Sequence, residues 1–332
     1  MNAPAQASRH SRLPRLSRQL ATLCLLGLGL AGLARAEWPE RPIRLVLPFA
    51  AGGGVDALAR PLAREMGDIL KQSMYVDVKA SNTGQIGAIE VAHAPADGYT
   101  LLISSAAFAT TPAYYPKVPY DPVKDYEHIT ILASTPQVLV ANAGYKATSV
   151  ADVLRIAKSG EQVNFALSAS TGIQALATEL MSSLGKADFT KVPYKGAGAA
   201  FADLIGGQVN LMIDNPASSM VHVRSGKLRL LATTGSKRMA ALPDTPTVAE
   251  TLPGFEALNW FVLSAPAGTP PAILDKLHAA ALEAMKRPAL RQMFERDGLD
   301  LVGNSRSEAR GFIAGETAKW TKIVKEKNLQ MQ

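Results

Sequence analysis

The chain has 332 residues, with 35 Lys or Arg against 28 Asp or Glu, a formal charge of +7 and one cysteine. Five of the basic residues and none of the acidic ones fall in the first 36 positions, so the other 296 residues carry 30 minus 28, or +2. That balance excludes the dense basic face that nucleic-acid binding needs, and because the lone cysteine, Cys24, lies in the leader, disulfides and thiolate chemistry are excluded from the rest.

In chain order, Arg9, Arg12, Arg15 and Arg18 precede the apolar run Leu20 to Ala34, and Ala34-Arg35-Ala36 supplies the small residues of a cleavage site. The run falls short of the roughly 20 residues that cross a bilayer, and Leu23 before Cys24 argues against lipidation. Residues 1–36 therefore read as a signal peptide cleaved after Ala36, which places the mature protein in the periplasm of a Gram-negative cell. No later apolar run is long enough to suggest an anchor.

Next comes an apolar β-type run, Ile43 to Phe49, followed by Gly52, Gly53 and Gly54 and an amphipathic helix through Ala57 to Ile69. Glycines let a ligand approach the main chain, and the first N–H groups of a helix lack intrahelical acceptors, so this layout suits a carboxylate or phosphate. A tight turn closing a βα unit is the plainer reading. Neither GxxxxGK[ST] nor GxGxxG is present, which excludes a P-loop and a dinucleotide site.

Further strand-like runs follow at Tyr75 to Lys79, Leu101 to Ser104, Val138 to Asn142, Val163 to Ala166, Phe189 to Pro193, Asn210 to Asp214, Leu228 to Thr233 and Trp260 to Ala265. Helical spacing lies between most of them, the βαβ rhythm of parallel sheets in an α/β protein. A second strand-to-helix loop carries Ser168, Ser170, Thr171 and Gly172, whose hydroxyls serve either as N-caps or as ligand contacts. A third, Lys195-Gly196-Ala197, offers a lysine for a distal carboxylate. Asp214 ends a strand, where it either accepts from a ligand ammonium or hydroxyl or caps the helix near Pro216. Ser104 and Ser105 end another strand and are candidates for the same cleft, whereas Trp260 is expected to pack near a hinge.

Six blocks then carry a family resemblance: PIRLVLPFAAGGGVDALAR, PADGYTLL, YDPVKD, VPYKGAGAAFADLIGGQVNLMIDN, KRMAALPDTPTVAE and LSAPAGTP. From Trp38 onward the chain resembles the Bug-type, TctC-like substrate-binding proteins of tripartite tricarboxylate transporters. The resemblance implies a type II-like, two-domain Venus-flytrap fold with the ligand cleft between domains. One domain would comprise 37–137 plus 264–332 and the other 138–263, with the crossing strands as hinge. It implies capture of a small carboxylated solute, whether a di- or tricarboxylate, an acidic amino acid or an aromatic carboxylate, by a monomer that delivers it to membrane permease subunits. A sensor kinase is the alternative recipient.

Carried over by position, the first ligand loop is Phe49, Ala51, Gly52, Gly53, Gly54, Val55 and Asp56, and the second Ser168 to Gly172. Phe49 would cover an apolar face of the ligand, while Asp56 would repel an anion and is assigned to fixing the helix start. Val55 stands where the family commonly has Ser or Thr, and Ala175 where it has His. An enzyme is the remaining alternative, a hydrolase or lyase. However, His93, His128, His222 and His278 are widely separated and no GxSxG elbow is present, so no metal, cofactor or catalytic group is expected.

Overall fold

The computed structural model describes residues 37–51, 54–81, 83–168, 170–194 and 196–331. The expected signal peptide and the candidate ligand residues Gly52, Gly53 and Lys195 lie outside these. The chain divides after Glu40, and everything below belongs to the unit from Arg41 onward.

Its first stretch alternates strands and helices: β1 (Ile43–Leu47), α1 (Gly54–Leu70), β2 (Met74–Val78), α2 (Gln85–Ala92), β3 (Thr100–Ser105), α3 (Ala107–Tyr114) and β4 (Tyr126–Pro136). β1 is buried at every position but Arg44, as befits a parallel strand covered on both faces. α1 forms because Leu58, Leu62 and Met66, with Ala59 and Ala63, make one apolar stripe that is lost from solvent.

The middle stretch repeats the pattern: β5 (Val138–Asn142), α4 (Val150–Lys158), β6 (Asn164–Leu167), α5 (Ile173–Gly185), β7 (Thr190–Pro193), α6 (Ala197–Ile205), β8 (Leu211–Asp214), α7 (Pro216–Arg224) and β9 (Leu228–Thr233). The chain then returns through β10 (Leu258–Pro266), α8 (Pro271–Lys286), α9 (Pro288–Asp297), β11 (Asp300–Leu301) and α10 (Arg306–Glu326). Among the described residues no helix is long and apolar enough to cross a membrane.

Two sheets result, ordered β11-β4-β10-β3-β1-β2 and β7-β6-β8-β5-β9. The parallel rhythm holds for β1 with β2 and β3 and for β6 with β7 and β8. It fails at the strands flanking the crossings: β10 is antiparallel to β3 and β4, and β5 to β8 and β9. β5 alternates its faces as a two-sided strand must. Leu139 and Ala141 join a large apolar cluster that extends to Phe108, Phe165, Trp260 and Trp320, whereas Val138 and Val140 join a smaller one with Phe201 and Leu204.

The main chain leaves the first sheet between Pro136 and Val138 and re-enters it between Thr233 and Leu258. The expected boundary at 263/264 cuts through β10, which pairs with β4 from Leu258 to Pro266, so the return crossing precedes Leu258. Both crossings are tied at one buried node. Gln137 N–H donates to Thr234 Oγ1 at 2.7 Å, Thr234 N–H donates to Gln137 O at 2.9 Å, and Thr234 Oγ1 donates to Ala257 O at 2.6 Å. Trp260 sits not at this node but in the first core, donating its indole N–H to Glu316 at 3.0 Å and packing edge-on to Phe312.

Thr234→Val keeps the shape but strands the Gln137 N–H and the Ala257 carbonyl. Chemical denaturation should show a loss of about 2–6 kcal/mol, since each of the two buried polar groups left unpaired costs about 1–3 kcal/mol. A second expectation concerns His128, 3% exposed. Its Nε2 lies 2.8 Å from Pro122 O and so carries the proton, and its Nδ1 accepts from Ser264 Oγ at 3.0 Å. Burial pushes the pKa down from 6.5 to about 4; the Pro122 carbonyl opposes this and Arg310 adds to it. The unfolded chain binds this proton below 6.5 and the folded chain only near 4, so stability falls as pH drops through that window, by about 3 kcal/mol. Denaturation at pH 7 and pH 4.5 should show the slope, and His128→Gln should flatten it.

Candidate functional site

In open α/β sheets ligands gather at the carboxyl ends of parallel strands, where the helices that follow present their N-termini. β4 runs parallel to β3, since both are antiparallel to β10, so Ser105 and Pro136 end at the same edge. In the second sheet Val138 lies opposite Asp214, the last residue of β8. The crossing at Gln137 therefore places the carboxyl edges of both sheets on either side of it.

Between them lies a cavity of about 440 Å3, within the usual range for small-ligand pockets. The first sheet contributes Gly54, Val55 and Ala57 from the start of α1, together with two cross-strand pairs, Ser105 with Phe261 and Thr135 with Asn259. The second sheet contributes Asn215, Pro216, Ala217 and Ser218 from the start of α7, and Leu299 completes the wall. No Lys, Arg, Asp or Glu lines it among the described residues. A larger groove of about 630 Å3 between α1 and β2 is lined by Arg60, Arg64 and Lys71 but borders none of the expected ligand residues.

The structure brings Gly54, Val55 and Ser105 to this cavity and sets several expected residues elsewhere. A Cβ built on Gly54 meets nothing within 4 Å, so the backbone there is open. Asp56, 6% exposed, sits in the first turn of α1 with Arg60 Nε 2.9 Å from its Oδ1. That ion pair, together with the favourable helix-start position, holds the carboxylate away from the cavity. Ala51 is exposed. Phe49 is half-buried and its ring rests on Gly84, the N-cap of α2, where φ is +75° and a Cβ would approach the ring to 2.8 Å.

The second expected loop lies at the same edge of its sheet, and none of its described residues lines the cavity. The N-cap of α5 is Gly172, at φ 100°, with no side-chain cap, so Ser168, Ser170 and Thr171 do not cap that helix as the plainer reading held. Gly196, at φ 109°, caps α6 just before Ala197 and donates its N–H to Ser168 O at 3.0 Å, tying the two loops together. Gln174, in the first turn of α5, donates to Gln137 Oε1 at 3.3 Å and so links this loop to the crossing.

Asp214 is 2% exposed and bonded to Ser218 Oγ. Burial raises its pKa, while Ser218 and the Asn215 N–H pull it down. Sequence reasoning missed Thr135, Asn259, Phe261 and Asn215 to Ser218. Pro216 at the first helical position after a β-type run was the signal available for the last group.

Residues 58–329 match the family described as the tripartite tricarboxylate transporter family receptor, TctC. The chain belongs to this family. It is 37% identical over 309 residues to protein BugT of Bordetella pertussis, covering 92% of this chain and 95% of that one. Among solved structures it superposes on R. palustris Rpa4515 with adipate at TM-score 0.72 and 33% identity, covering 87% and 98% of the two chains. It also superposes on MatC of Rhodopseudomonas palustris with bound malate at TM-score 0.70 and 30% identity, covering 86% and 100%. This TctC-family protein is thus a periplasmic solute-binding receptor and not an enzyme.

Gly84→Ala should test the seating of Phe49. A non-glycine residue at this positive φ costs about 1–3 kcal/mol, and the ring must move as well. The double variant with Phe49→Ala should lose less than the sum of the two single losses in a denaturation cycle.

Proposed function

We propose that the receptor takes a dicarboxylate end to end between two helix N-termini, closes its two lobes over it and delivers it to a tripartite tricarboxylate-type permease. The observation that carries this reading is the cavity itself. The starts of α1 and α7, one from each sheet, border one space that no basic side chain lines among the described residues. Helix geometry leaves the first N–H groups of each without intrahelical acceptors, and both macrodipoles turn a positive end toward the cavity. Pro216 has no N–H, so at α7 the Ala217 and Ser218 groups do the donating. One carboxylate meets α1 with Ser105 beside it, the other meets α7, and Phe261 and Val55 flank the chain between them. The relatives solved with adipate and with malate support the ligand class.

The lobes in this reading are residues 41–136 with 258–331, and 138–233. The Gln137, Thr234 and Ala257 node is their hinge, because it is the place where both crossings meet. In the same reading Ser168, Ser170, Thr171 and Gly172 belong to the rim of the cleft.

Titration calorimetry against dicarboxylates of graded length tests the proposal. Saturable binding with a shallow dependence on salt is expected, because a closed site excludes the screening ions. Gly54→Leu should abolish that binding without unfolding the protein. The position has no strained φ and open space in front of it, so the new side chain enters the cavity and not the core. Unchanged affinity in a folded Gly54→Leu variant would remove α1 from the site.

A further inference from the structure

The α7 wall of the cavity carries a hydroxyl whose hydrogen is already committed. Ser218 Oγ donates to Asp214 Oδ2 and lies 3.1 Å from the Asn215 carbonyl oxygen. A serine hydroxyl has one hydrogen and two lone pairs. If Asp214 is ionised, its carboxylate takes that hydrogen. If the buried carboxyl keeps its own proton, it donates to Ser218 Oγ, and the serine hydrogen turns to Asn215 O. In both arrangements Ser218 Oγ has no hydrogen for a ligand and at least one lone pair to spare.

This acceptor stands beside two donors, the main-chain N–H groups of Ala217 and Ser218. We infer that Ser218, held in this state by Asp214, makes the receptor selective for dicarboxylates with a hydrogen-bond donor on the carbon next to one carboxylate, that is, α-hydroxy or α-amino diacids. The inference rests on the carboxylate reading above. The carboxylate occupies the α7 N–H groups while its α-substituent donates to Ser218 Oγ. An unsubstituted diacid sets a methylene against that oxygen and leaves it without the partner that water supplies in the open site, which carries a penalty.

Calorimetry on matched acids tests this: succinate against malate and aspartate, and glutarate against 2-hydroxyglutarate and glutamate. In each series at least one substituted acid should bind about tenfold more tightly than its parent, the scale of one hydrogen bond to a well-placed acceptor. Ser218→Ala should bring each series to within about twofold, and Ser218→Thr, which keeps the hydroxyl, should restore the preference. The readout is a ratio within one protein, so a partly folded variant does not distort it, and the wild-type ratio stands even if Ser218→Ala fails to fold. Equal affinity across a series in the wild-type protein, or an undiminished preference in Ser218→Ala, overturns the inference while leaving the carboxylate reading intact. Failure of every acid to bind overturns both.

Discussion

The site depends on where the chain crosses between its sheets. β4 and β5 are nearly one continuous strand, interrupted at Gln137, and the direction of that run brings the carboxyl edge of the first sheet up to the carboxyl edge of the second. The crossing is buried, so its backbone groups need partners from within the protein. Thr234 and Ala257 on the returning segment provide them, with one threonine hydroxyl both accepting and donating. The same four backbone groups that keep the crossing satisfied tie the outgoing and returning segments together beside the cavity.

Given that frame, the electrostatics follow from secondary structure more than from charged side chains. Strands that end at a common edge must be followed by helices that begin there, so N–H groups accumulate on both sides of the cavity. Charged residues near the site are held out of it: Asp56 is occupied by Arg60, and Asp214 lies behind Ser218. A wall of fixed main-chain donors does not distinguish one carboxylate from another. The polar side chains in the cavity lining are Ser105, Thr135, Asn215, Ser218 and Asn259, which differ in what they can donate or accept.

The first sheet is packed from behind by α10. α10 starts with a reciprocal cap between Ser305 and Glu308 and lays Glu316 against the sheet, where its Oε2 accepts from both Trp260 and Trp320 at 3.0 Å while Lys319 pairs with its other oxygen. A buried carboxylate satisfied on both oxygens behaves as part of the core. Trp260 belongs to the strand that returns from the second sheet, so this cluster anchors the crossing strand to the C-terminal helix.

Local pattern sufficed for the strand and helix between Ile43 and Ile69 and for eight further strands, because apolar periodicity and turn residues are short-range signals. It missed β4, whose residues Tyr126 to Pro136 mix His, Thr and Ser into the apolar run, since two partners of its polar members, Ser264 and Asn304, lie far along the chain. With β4 went Thr135 and its antiparallel pairing with β10 in the first sheet. The sequence by itself determined an α/β solute-binding receptor of the TctC kind. Only the tertiary structure set the start of α7 opposite the start of α1 across the cavity, with none of the described residues of the Ser168 to Gly172 loop in its lining. Every helix start after a parallel strand looks equally suited to an anion, and which one is opposed depends on strand order and on the direction of the crossing, neither of which is written in any local stretch of residues.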